Sequence, residues 1–395
     1  DNRGSYYEPK GFLTRPTINT GGEDGYMSKT YAHELAYTVQ FTMNFNKIFG
    51  DFTTKGKISY LYENDHWEGF NANGSDFPLA GVPDMNLLDG DQDNIGSYTG
   101  DIRAENVFGI VDVDYKEKYI FSGLLRYDGA SQFGANERWN PYFRVSAAYR
   151  LTEDVTIPGI QELKLRAAYG TSGERPPWDA RYETFSVSAG SVFKNQLGNE
   201  NLKPSTIKEL EIGLNMEFLN RFEFEFTYSH TDATNVFARA PFPGIAGWLN
   251  QWRNIGTLTS TVFEAALNAR VLEGDNINWN STLLFDRIRQ EVTKLDIPAF
   301  TTGPGPNGIP SYRIEEGYEY GINFGDRFLR SLAALEKQLT AEEDINDYTI
   351  NSDGYVILKG TEGTIYEAPV KLKDSEYGLV EKVPIGDANP DFNLR

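Results

Sequence analysis

From Leu35 onward the apolar side chains take every second position: Leu35, Tyr37, Val39, Phe41, Met43 and Phe45. Ala36, Thr38, Gln40, Thr42 and Asn44 stand between them. The same beat returns at Leu210, Ile212, Leu214, Met216 and Phe218, and at Phe222, Phe224, Phe226 and Tyr228. Its intervening positions carry Glu209, Glu211, Asn215 and Glu217, then Glu223, Glu225 and Thr227. Successive side chains of a strand point to opposite faces, so each block has one apolar and one polar face. Soluble strands usually run about five or six residues. These blocks of about ten match the length a tilted strand needs to cross a bilayer. The pattern predicts an all-β chain whose strands form part of the wall of an antiparallel transmembrane β-barrel.

The alternation places strands at about 32–49, 52–67, 104–116, 118–129, 142–151, 163–171, 205–218, 221–234, 255–272 and 277–292. Their connections alternate in length. Short ones lie at Phe49-Gly50-Asp51, Tyr115 to Lys118, Leu219-Asn220-Arg221 and Glu273 to Asn276; long ones lie at about 68–103, 130–141, 172–204 and 235–254. Tight turns at one end and long loops at the other are the asymmetry of outer-membrane barrels. The connection from Thr152 to Glu162 is longer than the other short ones. After residue 293 the pattern changes. Gly303-Pro304-Gly305-Pro306-Asn307-Gly308 excludes a helix or a central strand. Leu329, Leu332, Leu335 and Leu339 stand at helical spacing, and a hairpin is expected between Tyr355–Leu358 and Thr364–Tyr366. A segment this long should be an ordered extracellular excursion with its own small core. All of 1–395 then belongs to one barrel domain, with strands over roughly 32–292 and the excursion over 293–395.

The polar faces carry charge: Arg126, Arg144, Arg166, Glu209, Glu211, Glu223 and Glu225 among others. An Arg or Lys facing lipid at mid-depth costs roughly 2–4 kcal/mol, so these side chains should face the lumen. Phe121, Leu125, Tyr127, Leu163, Leu165 and Tyr169 should then face lipid. A soluble sheet with one solvated face would show the same alternation, but not the block length or the loop asymmetry. Tyr115 and Tyr119 flank a short turn, where an interfacial girdle would stand.

Composition adds limits. Hydrophobic residues make up 39% and aromatics 14%, with 23 Tyr and 25 Phe, a mixture that half-polar strands with aromatic belts would give. The net charge of −20 and the absence of a basic face disfavour nucleic-acid binding. No cysteine is present, so neither disulfides nor thiol chemistry holds the fold. The opening Asp-Asn-Arg-Gly is not a signal peptide. The chain is therefore expected to be mature or a piece of a longer one, ending within a loop before the closing strand.

Five segments resemble the SusC/RagA family of TonB-linked outer-membrane transporters. Leu125-Arg126-Tyr127-Asp128-Gly129-Ala130-Ser131-Gln132-Phe133-Gly134 is similar to that family's R-x-D-G-S-S-x-F-G signature. Leu163 to Gly173 resembles its L-K-x-R-x-S-Y-G-x-x-G strand and turn. Asn199-Glu200-Asn201-Leu202-Lys203-Pro204-Ser205 resembles N-P-N-L-K-W-E, with Glu200, Pro204 and Ser205 in place of the family's Pro, Trp and Glu. Asn254-Ile255-Gly256-Thr257-Leu258 with Phe263-Glu264 resembles N-I-G-x-M followed by N-K-G-x-E, although Ser260-Thr261-Val262 depart from it. Ile385 to Phe392 resembles G-D-x-x-P-D-F. The resemblance covers roughly residues 120–395. It implies a 22-stranded barrel with an N-terminal plug, a SusD-like surface lipoprotein as lid, and import of glycans or oligopeptides driven by TonB-ExbB-ExbD. The plug and the TonB-contacting segment are expected outside this chain.

No catalytic set is present: no H-E-x-x-H, G-x-S-x-G or Walker pattern, and three histidines, His33, His66 and His230. Neither an enzyme nor a cofactor is indicated. Asp89, Asp91 and Asp93 alternate as in a calcium loop but lack its sixth-position Gly and twelfth-position Glu. They are a weak metal candidate, read otherwise as a charged loop. Trp67, Trp178, Trp248 and Trp252 are the better ligand candidates, since flat rings stack on sugar faces or pack against peptide side chains. Clamping of loops or contact with a lid is the alternative role for them. At the level of the whole chain, the alternatives to an importer are a surface receptor or adhesion scaffold on the same barrel, and a soluble all-β glycan-binding or glycan-cleaving domain.

Overall fold

The computed structural model describes residues 2–8, 26–75, 82, 84–87, 94–188, 190–302, 312–340, 342–373 and 382–395. The long strands are β1 (Asn2–Glu8), β2 (Tyr26–Phe49), β3 (Phe52–Ser75), β4 (Asn94–Tyr115), β5 (Tyr119–Ala130), β6 (Trp139–Arg150) and β7 (Ile160–Glu174). After a small hairpin, β8 (Thr184–Ser188) and β9 (Ser191–Leu197), come β10 (Ser205–Phe218), β11 (Phe222–Pro241), β12 (Asn250–Glu273) and β13 (Asn278–Leu295). The main sheet has the order β1-β2-β3-β4-β5-β6-β7-β10-β11-β12-β13, with a final short strand beside β13. The β8–β9 hairpin lies off this path, and β9 pairs in parallel with the first residues of β12.

By packing, the residues fall into two compact units. One holds Asp1–Ala148, Tyr169–Thr206 and Phe237–Asn254; the other holds Tyr149–Ala168, Ile207–Val236 and Ile255–Arg395. In the first unit the β2–β3 ladder runs without a break from Phe49 opposite Phe52 to Tyr26 opposite Ser75. The turns are tight. Gly50 takes φ +60 between Phe49 and Phe52, whereas Lys116 and Glu117 both take φ +56 between β4 and β5. Leu219 and Asn220, both at φ +54, form the matching turn in the second unit. Two positive φ angles in succession are what a two-residue hairpin with right-handed strand twist demands. Aromatic rings gather at these turns. Phe52 lies 4.6 Å from Tyr115, Tyr115 stacks 6.3 Å from Tyr119, and Phe218 stacks 5.0 Å from Phe222.

The apolar positions of these strands are exposed. Phe41 is 68% and Leu125 72% accessible, whereas Ser59 on the opposite face is 1% accessible. Ser59 is buried because Gln40 and Thr42, its cross-strand neighbours, hydrogen-bond to its hydroxyl at 3.0 and 2.8 Å. This is the inverse of a water-soluble sheet. Apolar area in water costs roughly 25 cal/mol per Å2, so a face like that of β2 is stable only against an apolar medium.

The strands outrun the sequence reading at one end only. The turn ends agree within three residues, but β3 continues eight residues past Trp67 and β4 begins ten residues before Ala104. Beyond the apolar band both faces carry polar groups, so the alternation disappears while the backbone ladder continues.

The segment after β13 forms small structures of its own. β14 (Phe300–Thr302), β15 (Tyr312–Ile314), β16 (Ile322–Asp326) and β19 (Lys382–Asp387) make a four-stranded sheet; β17 (Tyr348–Ile350) pairs with β18 (Val356–Leu358). Buried Leu329, Leu335 and Val356 form a core to which Leu332, Leu339, Tyr348, Val370 and Leu372 add. The leucine spacing over 329–339 yields one short helix, α1 (Leu332–Glu336), capped by the Ser331 hydroxyl, which accepts from the Ala334 N–H at 3.2 Å. Val356–Leu358 pairs with Tyr348–Ile350 rather than with Thr364–Tyr366, because Thr361 to Glu367 close successive tight turns. The segment Gly303 to Gly308 lies outside the described residues. The chain then returns to the wall: β20 (Asn393–Leu394) pairs with β13 at Asp286 and Phe285, and Phe392 stacks 6.0 Å from Phe285. What reads in sequence as a loop end is thus a strand beside β13.

Candidate functional site

On the polar face of the second unit, Arg166 of β7 reaches across Gly213 of β10, where a side chain would collide with its guanidinium. It pairs with Glu211, and its remaining N–H groups donate to Glu225 at 3.1 Å, Asn215 at 3.2 Å and Thr227 at 2.5 Å. One guanidinium thereby ties three strands, using the several donors only arginine offers. Beside it a recess is lined by Glu264, Asp286, Glu225 and Thr227. A second recess is lined by Glu162, Lys164, Glu217, Glu223 and Asn268. Glu209 accepts from the Thr231 hydroxyl at 3.3 Å. In the first unit, Arg126 pairs with Asp128 at 2.5 Å on the same face of β5, and Arg144 lies against Gly170.

The four candidate tryptophans, Trp67, Trp178, Trp248 and Trp252, fall within the first unit. Trp67, at the expected end of its strand, lies well inside β3 and directly opposite Gly100 of β4. Its ring meets Trp178 edge-to-face at 5.9 Å, and Trp178 lies 6.4 Å from Tyr182. Trp252 packs edge-on to Phe237 at 6.1 Å, with the Arg239 guanidinium 5.4 Å above its ring. Arg239 lies 3.8 Å from Asp179, next in sequence to Trp178, so Trp252 joins the group through that pair. The Trp252 indole N–H is buried without a hydrogen-bond partner. Trp248 stands apart, against Phe185 at 5.5 Å and under Lys194 at 5.1 Å.

The resembling motifs explain how these rings are held. Gly134 packs against the Glu200 backbone so closely that no Cβ fits. Phe133 is buried with Ala104 and Ala130. The Asn254 side chain makes two hydrogen bonds to the Lys203 backbone, at 3.0 and 2.9 Å, and Asn199 donates to the Trp252 carbonyl at 2.8 Å. Gln132 donates to the Pro176 carbonyl at 2.7 Å, two residues before Trp178. The short motifs thus form the base on which the aromatic loops stand. Sequence reasoning missed Gly100, Tyr98, Tyr182 and Arg239. Gly100 and Tyr98 fall in a stretch read as loop, and no periodic signal marks the other two. His66 lies in β3 with its Nδ1 3.1 Å from Asp101. Asp89, Asp91 and Asp93 lie outside the described residues. Among the described residues, no group of three or more His, Asp or Glu is placed to hold a metal ion.

Comparison with known proteins gives a consistent picture. The family described as TonB dependent receptor-like, beta-barrel matches residues 1–360. TonB-dependent receptor P3 of Formosa agariphila is 29% identical over 384 residues, 89% of this chain and 36% of that protein. TonB-dependent receptor SusC of Bacteroides thetaiotaomicron is 24% identical over 208 residues, 48% of this chain and 20% of that protein. The RagAB peptide transporter structure superposes with a TM-score of 0.77 at 15% identity, over 99% of this chain and 41% of the matched chain, a likeness of fold. The chain therefore spans well under half the length of these relatives.

Proposed function

Since the chain belongs to the TonB-dependent receptor-like β-barrel family of Gram-negative outer membranes, we propose that it is part of the wall of an importer of glycans or oligopeptides, driven through TonB-ExbB-ExbD and lidded by a SusD-like lipoprotein. The long strands are the wall, and the segment after β13 is an excursion on the outer side. The observation that carries this reading is the pair of faces. An exposed apolar face fits lipid, and the opposite face with its paired charges, such as Arg166 with Glu211, fits a watery passage. In this reading Arg126, Arg144, Arg166, Glu209, Glu211, Glu223 and Glu225 line the passage, while Trp67, Trp178, Trp248 and Trp252 meet cargo at the outer end.

The test is uptake of labelled oligosaccharides and oligopeptides by cells carrying the whole protein, with and without an agent that collapses the proton-motive force. Import is expected to stop when the force is removed. Binding at the cell surface with no force-dependent uptake would instead make the protein a receptor or adhesion scaffold.

A further inference from the structure

In the first unit the apolar face ends at the tight turns in a row of rings. Ladder register sets Phe49 beside Phe52, Phe52 beside Tyr115 and Tyr115 beside Tyr119, so rings from β2, β3, β4 and β5 stand side by side. Parity puts the row on the same face as Phe41, Val107 and Leu125, the face that fits lipid. Three ammonium groups lie on these rings. The Lys47 Nζ is 6.0 Å from the centre of Phe49, that of Lys116 5.4 Å from Tyr115 and that of Lys118 4.8 Å from Tyr119. A ring face attracts a cation at such distances and leaves its N–H donors for other acceptors. Lys47 is the most telling of the three. It belongs to the apolar face one row inside the rings, beside Thr54. A charge held at lipid depth is costly, and the stem lies along the face so that the ammonium reaches Phe49, nearer the turn.

Other charges near this end are placed apart from the row. Lys55, Lys57, Asp112 and Asp114 fall on the opposite face by parity. At the turns Asp51 pairs with Lys116 at 3.2 Å, and Glu117 follows Lys116 in the chain. The row thus carries a cation at each end, Lys47 over Phe49 and Lys118 over Tyr119. We propose that the two ends are seats for the phosphate of an anionic phospholipid in the leaflet at the tight-turn side. Neighbouring strands stand about 4.8 Å apart, so the two ends are about 14 Å apart and take two separate headgroups. At each seat the ammonium donates to a phosphate oxygen, and the ring beneath it stands at headgroup level. The acyl chains then run along Phe45, Met43 and Phe41 from one seat and along Phe121 and Leu125 from the other. A zwitterionic headgroup brings its own ammonium to the same place, so the seats select net negative charge. They face the membrane and not the passage, and stand whatever the cargo is.

The test is native mass spectrometry of the whole protein, stripped of lipid in neutral detergent and then given equal amounts of phosphatidylglycerol and phosphatidylethanolamine. Phosphatidylglycerol should be retained in preference. Lys47→Gln and Lys118→Gln should each remove a retained phosphatidylglycerol, and the double variant should remove both. Asp51→Asn releases the Lys116 ammonium and should raise the retained number. Lys29→Gln, on the same face of β2 but at its far end, should change nothing. Equal retention of the two lipids overturns the proposal. So does a double variant that keeps its full complement of phosphatidylglycerol while its heat-modifiable mobility is normal. Should the double variant not assemble, Asp51→Asn decides, and no gain in that variant overturns the seats.

Discussion

Arg166 holds Glu211 and Glu225 on adjacent strands, and without it two carboxylates would face each other on a part-buried surface. Arg166→Ala should therefore lower stability by about 1–3 kcal/mol, read as the denaturant midpoint of the refolded protein. Arg166→Lys should recover only part of this, because one ammonium cannot serve four acceptors in a plane. The turn residues make the opposite case. Leu219 is exposed yet holds φ +54, a conformation that costs an L-residue roughly 1–2 kcal/mol. Leu219→Asn should raise stability by about 0.5–1 kcal/mol in the same assay. Leu219 was legible as part of the short connection Leu219-Asn220-Arg221, though not the backbone conformation it takes there, whereas Arg166 read as one charge among many. What was legible at this scale was which charges share a face; which of them meet was not, because that depends on the register between strands far apart in the chain.

At the scale of a strand, the face assignment makes a sharp prediction. Phe41→Arg places a charge at the middle of the apolar band of β2 and should cost about 2–4 kcal/mol, seen as reduced assembly into membranes and loss of heat-modifiable mobility. Thr38→Arg, on the other face of the same strand and opposite Glu63, should be tolerated. Equal damage from both would contradict the two-faced wall. The alternation of Leu35 to Phe45 was enough to read this face without any structure. The extensions of β3 to Ser75 and of β4 back to Asn94 were not readable, since outside the lipid no medium selects the side chains of either face. For the same reason His66 and Trp67 stood at the expected end of their strand rather than well inside it. The short β8–β9 hairpin escaped notice because its few apolar positions fit several periods equally well.

For the molecule as a whole, the excursion after β13 is held by carboxylates rather than by a large core. Hydrogen bonds from Lys371 and Lys382 hold the Asp326 carboxyl below the usual carboxylate range. The Thr340 backbone N–H and hydroxyl do the same for Glu343, and the Asn351 amide with the Gly363 N–H for Glu367. A carboxylate whose folded value is lowered adds stability that is present above its unfolded value and is lost as pH falls through the folded one. Acidification below the usual carboxylate range should therefore loosen residues 326–373. Hydrogen exchange should show their amides deprotected there while β2–β4 amides remain protected. Unchanged exchange across this range would mean that the Leu329, Leu335 and Val356 core alone suffices.

The sequence by itself determined the wall: strand faces, turn positions and membrane class follow from a two-residue period that the bilayer imposes along each strand separately. Only the tertiary structure decided which groups meet. Arg166 with Glu211, Trp67 with Trp178 and Asp286 with Asn393 are brought together by ladder register and by chain returns of more than a hundred residues. Local periodicity contains no information about either, because it fixes the side a residue faces and not the neighbour it finds there.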